Sequence, residues 1–325
     1  MAKGLPYERL DEITPEGGRD VCPSVVVVGN LDGVHRGHAA VLRAAVQRAS
    51  RDGLAAYVLT FDPHPSVVLG RPEPPRLTTL TRRAELARSF GVERVFVRTF
   101  DAEFAAWSPL RFAKELLVQK LLAHEISIGQ NFRFGAGAEG DFSKMVLLGK
   151  SLGFETTAHA LVGDEQGPFS SSRVRAAVAA GDMETAERIL GRPLALSGVV
   201  EEGKKLGRTL GFPTVNLGRI PEMLPPDGVY AVLVDQLFPD AQNSVRSLAL
   251  GAMSIGLRPT LGEGLARTVE VHLLDFDGDL YGAYLRVHVV ERLRGEERLA
   301  GLDALKAKIA EDVAETRRIL RDRHF

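Results

Sequence analysis

The pattern of apolar residues changes character near residue 191, and that change limits the chain to two architectures in series. Before it, short apolar runs alternate with longer stretches of helical periodicity. Ser24–Val28 is a β-branched run suited to a strand buried on both faces. Val41, Leu42, Ala45, Val46 and Ala49 then fall on one helical face. The alternation continues with strands at 55–61, 94–97 and 125–128 and helices at 79–90 and 110–122. It predicts a parallel α/β sheet with right-handed crossovers, and ligands beyond the carboxyl ends of its strands. Two short helices, at 173–180 and 183–190, end at Gly191-Arg192-Pro193. Strands are then expected at 228–234, 247–253, 268–276 and 283–290, with Asp277-Gly278-Asp279 as a tight hairpin connection. Strands so closely spaced suggest an antiparallel barrel. A last helix carries Leu302, Leu305, Ile309, Val313 and Leu320 at helical spacing.

The expected organisation is therefore α/β followed by all-β. Residues 1–20 form a loose polar lead-in, 21–186 the first domain and 187–325 the second. The 325 residues are ample for two cores, and 45% hydrophobic with 26% charged residues is an ordinary globular mix. A formal net charge of −1 gives no global field for nucleic acid or acidic membrane, so any anionic ligand must be held by local groups. Cys22 is the only cysteine, which excludes an intrachain disulfide and fits a reducing compartment. No apolar run reaches membrane-helix length, and the amino terminus lacks the apolar stretch of a signal peptide. A cytoplasmic protein is expected.

The sequence GNLDGVHRGH at 29–38 lies where the first strand meets the first helix. Gly37 lets backbone approach a ligand, the helix start favours phosphate, and His35 and His38 can donate to phosphate oxygens as charge builds. This is the HxGH signature of nucleotidylyltransferases, in which a nucleophile attacks the α-phosphorus of a nucleotide and pyrophosphate leaves. A phosphate nucleophile is already ionised, so positioning and charge stabilisation suffice. The SSSRVR stretch at 170–175 reads as a second phosphate clamp or as a plain helix cap with solvated arginines. In GQNFRFG at 129–135, Asn131 is a candidate nucleotide contact, and the two phenylalanines either pack under the loop or line an aromatic ligand site. GAGAEG at 135–140 imitates a dinucleotide fingerprint, but it lacks the preceding strand and the following acidic residue. No P-loop sequence occurs. A hydrolase metal site built on His35, His38 and His64 lacks an acidic ligand cluster.

In the second half, the stretch 198–216 is glycine-rich and basic and ends in Pro213-Thr214-Val215-Asn216; a flexible hairpin followed by a strand is its plain alternative, and the Thr/Asn pair is what argues for a site. Thr214 and Asn216, two apart, share one side of an extended strand and can share a Mg²⁺ that carries nucleotide phosphates. Glu270, on the polar face of its strand, is the candidate base for an alcohol attacking a γ-phosphate. From that strand alone a solvated glutamate is the stronger reading, and the base gains weight only beside the glycine-rich loop and the Thr/Asn pair. Arg294 is a candidate for orienting substrate, with an exposed arginine as the alternative.

From about residue 23 to 320 the chain resembles the bifunctional prokaryotic riboflavin kinase/FAD synthetase family. The matching pieces run in order: GNLDGVHRGH (29–38), TFDPHP (60–65), IGQNFRFG (128–135), SSSRVR (170–175), GRTLGFPTVN (207–216), DGVYAV (227–232), SIGLRPT (254–260) and TVEVHLLDFDGDLYG (268–282). RLRGEERLAGLDALKAKIAED (292–312) completes the set. Leu31, Ser172 and Leu299-Ala300-Gly301 depart from the family pattern without removing a residue of chemical role. The resemblance implies an amino-terminal FMN adenylyltransferase of Rossmann-like nucleotidylyltransferase fold. It implies a carboxy-terminal riboflavin kinase with a six-stranded antiparallel barrel and terminal helix. Adenylyl transfer would fall to His35, His38, Asn131, Ser171 and Arg175, with Gly29, Asp32 and Gly37 beside them at ATP or FMN. The kinase would use Thr214 and Asn216 at Mg²⁺-ATP and Glu270 as base, with Gly203, Gly207, Arg208, Gly211 and Arg294 at ATP or flavin. Riboflavin, FMN, FAD and ATP are the implied substrates and products, Mg²⁺ the implied cofactor. Neither nucleic acid nor membrane is an expected partner, and the oligomeric state, a homo-oligomer included, is left open.

Overall fold

The computed structural model describes residues 5–12, 21–203, 211–238, 244–259, 265–297, 300–321 and 323. It divides into two compact units, Met1–Ser171 and Ser172–Phe325.

The first unit is a parallel sheet built on β1 (Glu8–Arg9), β2 (Ser24–Val28), β3 (Ala55–Asp62), β4 (Arg94–Thr99), β5 (Ala123–Gly129) and β6 (Glu155–His159). Its strand order is β1-β4-β3-β2-β5-β6, and β7 (Gly163–Asp164) and β8 (Gly167–Pro168) form a separate two-stranded ribbon. The sequence leaves β2 in one direction through β3 and β4 and returns on its other side with β5 and β6, so a crevice opens at the carboxyl end of β2. All five residues of β2 are buried because helices cover both faces. Val26 and Val28 join one apolar layer with Tyr57, Leu59 and Phe96. Val25 and Val27 join the other with Leu42, Ala45 and Val58, under α1 (Arg36–Asp52).

Three readings of this half need correction. Residues 5–12 are not a loose lead-in. Glu8 and Arg9 pair with Phe96 and Val97, the Glu8 carboxylate grips Arg94 at 2.7 and 2.8 Å, and Leu10 is buried in the core. The helix expected at 110–122 is one α turn (Pro109–Arg111) followed by a π-helix (Phe112–Lys120), closed by Leu121 N–H on the Leu116 carbonyl. The helix Phe142–Leu152 and strand β6 were not anticipated, although Asp141 caps that helix and left-handed Gly153 ends it.

The second unit is a closed antiparallel barrel. Its strands are β9 (Leu194–Glu201), β10 (Thr214–Leu217), β11 (Gly228–Phe238), β12 (Ser244–Pro259), β13 (Leu265–Leu273) and β14 (Tyr284–Arg294), in the order β10-β13-β12-β11-β14-β9. Alternate residues fill the interior, among them Tyr230, Val232, Met253, Val271, Val287 and Val289, each fully buried. The last helix (Leu302–Leu320) packs its far end on the outer face, where Leu320 meets Ala231, Leu233 and Val290. In its first turn Leu302 is 67% exposed. Asp277-Gly278-Asp279 is not a hairpin turn. β13 pairs with β10 and β12, β14 pairs with β11 and β9, and the segment between them links strands that are not neighbours. Residues 198–201 complete β9, the strand that closes the barrel, so they are not part of a flexible hairpin.

Candidate active sites

The 29–38 turn is held under strain. Leu31 and Val34 adopt positive φ (52° and 39°), and for a β-branched residue that conformation is an outlier. Both side chains are buried. The strain is fixed from a distance by Asp32, 5% exposed, whose carboxylate accepts Leu77 N–H at 3.1 Å, Thr78 N–H at 3.0 Å and the Thr78 hydroxyl at 3.1 Å. Thr78 Oγ1 in turn accepts Gly33 N–H at 3.0 Å, and the Ser171 hydroxyl donates to the Asp32 carbonyl at 2.8 Å. Asp32 and Ser171 therefore hold the turn.

His35 caps α1: its Nδ1 accepts backbone N–H from Gly37 at 3.1 Å and from His38 at 3.4 Å. With Nδ1 an acceptor, a neutral ring carries its proton on Nε2. The ring stacks on His38 with centroids 3.7 Å apart. A Cβ on Gly37 would lie 3.0 Å from the His35 ring, so glycine is what allows the fold-back. Burial, and then the neighbouring His35 and Arg83, push His38 well below the ordinary histidine range, and it is neutral near pH 7.

Two cavities adjoin at this turn and share Gly29, Asn131 and Phe132. One, about 240 Å³, lies over the ends of β2, β5 and β6 between the histidine pair and the apolar Val27, Val41 and Leu161. The other, about 530 Å³, is aromatic, lined by Phe61, Phe100, Trp107, Phe112, Phe132 and Phe134. The GAGAEG glycines serve its wall. Phe134 and Gly140 form a β-bridge, and Gly135 and Gly137 have positive φ. Arg175 lies on a helix, Ser171–Ala180, that belongs to the second unit from Ser172 onward.

In the barrel, the antiparallel register sets Asn216 directly across from Glu270 and Thr214 across from His272. Glu270 thus shares a face with the Thr/Asn pair, its Oε2 accepting the Thr214 hydroxyl at 3.4 Å. His272 Nδ1 donates to the Pro213 carbonyl at 2.8 Å and fixes the start of β10. A Cβ on Gly203 would overlap the Asn216 carboxamide, so this glycine gives the side chain its room. Gly211 has φ 88°. A cavity of about 560 Å³ opens beside Thr214, walled by Pro213, Leu273, Phe276 and the 277–281 segment. Gly207 and Arg208 lie outside the described residues. Arg294 grips Asp312 with Nε and Nη2 at 3.0 and 2.8 Å, which raises its pKa further and clamps the terminal helix to β14. The sequence placed Arg294 near substrate, whereas its fork is spent on the helix. Sequence reasoning missed Trp107, His159 and His272; only the period-two alternation around Glu270 pointed to His272.

Residues 19–173 match the FAD synthetase family and residues 190–320 the riboflavin kinase family. The chain is 39% identical over 289 residues to the bifunctional riboflavin kinase/FMN adenylyltransferase of Escherichia coli K12, covering 89% of this chain and 90% of that one. It is 40% identical over 294 residues to the protein of the same description from Pseudomonas fluorescens, covering 90% and 92%. A Streptococcus pneumoniae crystal structure described as a macrolide-efflux protein is similar with a TM-score of 0.82 and 28% identity, over 96% of this chain and 99% of that one. Among the described residues no helix is long and apolar enough to cross a membrane. With a nucleotidylyltransferase turn in one unit and a Thr/Asn/Glu barrel face in the other, the chain belongs to the family of bifunctional riboflavin kinases/FMN adenylyltransferases.

Proposed function

We propose that residues 187–325 phosphorylate riboflavin to FMN and residues 21–186 adenylylate FMN to FAD, each with ATP. In the first unit the isoalloxazine ring of FMN sits in the aromatic cavity and ATP in the adjoining cleft, so that the two phosphate groups meet at Gly29 and Asn131. An FMN phosphate oxygen attacks the α-phosphorus, a new P–O bond forms, the bond to the bridging oxygen breaks, and pyrophosphate leaves. His35 Nε2–H and His38 donate to the charge that builds. Asp32 and Gly37 act by holding this geometry. The observation that carries the assignment is the shared rim of the two cavities at Gly29 beside the histidine pair.

In the barrel, Glu270 takes the proton of the riboflavin 5′-hydroxyl as its oxygen attacks the γ-phosphorus, and ADP leaves. Thr214 hydroxyl, Asn216 carboxamide and Glu270 carboxylate form a set of hard oxygen donors, which fits Mg²⁺. Thr214 and Asn216 would hold it, and it supplies charge neutralisation at the nucleotide phosphates. Gly203 and Gly211 leave room for backbone approach, and Gly207 and Arg208 are assigned to ATP or flavin. The reading puts the chain in the cytoplasm, where the exposed Cys22 thiol stays reduced. Purified chain given riboflavin, ATP and Mg²⁺ should form FMN with one ADP each, and given FMN should form FAD with one pyrophosphate each. Absence of both products refutes the reading.

A further inference from the structure

The cleft beside the histidine pair has one polar side chain that the mechanism above does not use. His159 ends β6, directly across from Gly129 in the β5–β6 register, and its ring forms part of the cleft wall. Its Nε2 lies 2.6 Å from Ser127 Oγ, and Ser127 is 1% exposed. The ring is therefore fixed from behind, and among the described residues Nδ1 takes no hydrogen bond. A Cβ on Gly129 would meet nothing within 4 Å, so the space beside the ring is open. The rest of that end of the cleft is apolar, with Val27, Val41, Leu161 and Val162, which suits a flat heteroaromatic ring and offers its polar edge no other side-chain partner. Burial lowers the pKa of His159, so it stands as a neutral imidazole at pH 7.

We propose that His159, locked by Ser127, is the residue that selects adenine over 6-oxopurines in the nucleotide cleft of the first unit. The proposal rests on the assignment of that cleft to ATP. Ser127 Oγ lies where it can accept from Nε2–H, and in that tautomer the neutral imidazole presents a lone pair at Nδ1. The 6-amino group of adenine donates to that lone pair, and the 6-carbonyl of hypoxanthine opposes it. A site built to hydrogen-bond one group rejects the analogue that leaves it unpaired.

The test uses the full chain with FMN and either ATP or ITP. In both cases the nucleoside monophosphate passes to the FMN phosphate and pyrophosphate leaves, giving FAD or its hypoxanthine counterpart. Wild type should favour ATP in kcat/KM. His159→Ala should lower that preference about tenfold, the equivalent of one hydrogen bond to a polar edge, through KM for ATP with kcat at saturation kept. Ser127→Ala, a smaller change, should lower it less, because the ring loses the partner that orients it. Wild type using both nucleotides equally overturns the proposal, as does an unchanged preference in both variants. A collapse of kcat with the preference intact also overturns it, since His159 would then only brace the sheet edge. Failure of wild type to make any dinucleotide strikes the assignment of the cleft instead.

Discussion

Replacing Asp32 by alanine tests whether the 29–38 turn is held by its own sequence or by the residues around it. The carboxylate accepts the N–H groups of Leu77 and Thr78 and the Thr78 hydroxyl, all in buried surroundings. Truncation leaves two backbone donors unsatisfied at roughly 1–3 kcal/mol each. It also frees a turn whose Leu31 and Val34 store about 1–3 kcal/mol apiece in positive φ. Release of that strain offsets part of the cost, so we expect a net loss of about 1–3 kcal/mol. For a unit of this size that corresponds to roughly 2–12 °C in its melting temperature. Relaxation of Val34 would carry His35 with it, and a displacement near 1 Å costs on the order of 100-fold in rate. Asp32→Ala should therefore lose FAD synthesis from FMN by about that factor while riboflavin phosphorylation stays within about twofold. Product separation over time with each substrate, together with thermal unfolding, reads both effects. Full FAD synthesis at unchanged stability refutes the pinning argument. A raised KM for FMN or ATP at unchanged stability would make Asp32 a direct substrate contact.

Other consequences follow from the same geometry. Gly203→Ala places a methyl group on the Asn216 carboxamide and should raise the kinase KM for Mg²⁺-ATP with FAD synthesis unchanged; an unaltered KM would mean that Asn216 does not hold the nucleotide. Arg294→Lys and Asp312→Asn should give the same phenotype, a barrel less stable by about 2–3 kcal/mol with near-normal KM values, because the fork serves the helix. A tenfold KM rise in Arg294→Lys alone would restore a substrate role to Arg294. His38 has a depressed pKa in the folded unit, so the unfolded chain binds a proton first as pH falls. Its contribution is complete above about pH 6.5 and is lost below it, with a slope of at most about 1.4 kcal/mol per pH unit. His38→Asn should flatten that slope in a pH series of unfolding curves, and an identical slope would show that His38 is solvated.

The parts of this protein that can be read from sequence are those where one local property decides the outcome. Ser24–Val28 can only be a doubly buried strand, and HxGH after it can only open a helix at a sheet's carboxyl edge. Thr214, Asn216 and Glu270 are legible one strand at a time; their meeting depends on a register between residues more than fifty positions apart, which no local pattern encodes. The hairpin expected at Asp277-Gly278-Asp279 failed for the same reason: turn chemistry was present, but the flanking strands pair elsewhere. Glu8 and Arg9 looked like a polar tail because their partners, Arg94 and Asp62, lie on distant strands. Arg294 shows the limit for charged residues: its identity suits a phosphate and a carboxylate equally, and only the helix that brings Asp312 beside it decides. Trp107 and His159 carried no signal, since a lone aromatic residue or histidine at a strand or helix end has no spacing to mark it.

The division of labour between the units is tested most directly by following riboflavin, FMN and FAD over time in two variants supplied with ATP and Mg²⁺. Glu270→Gln should slow riboflavin phosphorylation by about 100- to 10,000-fold, the range of a lost general base, yet convert added FMN to FAD at the normal rate. His38→Asn should do the reverse and pile up FMN from riboflavin. Loss of both activities in either folded variant, or FAD made normally by the His38 variant, would contradict the account.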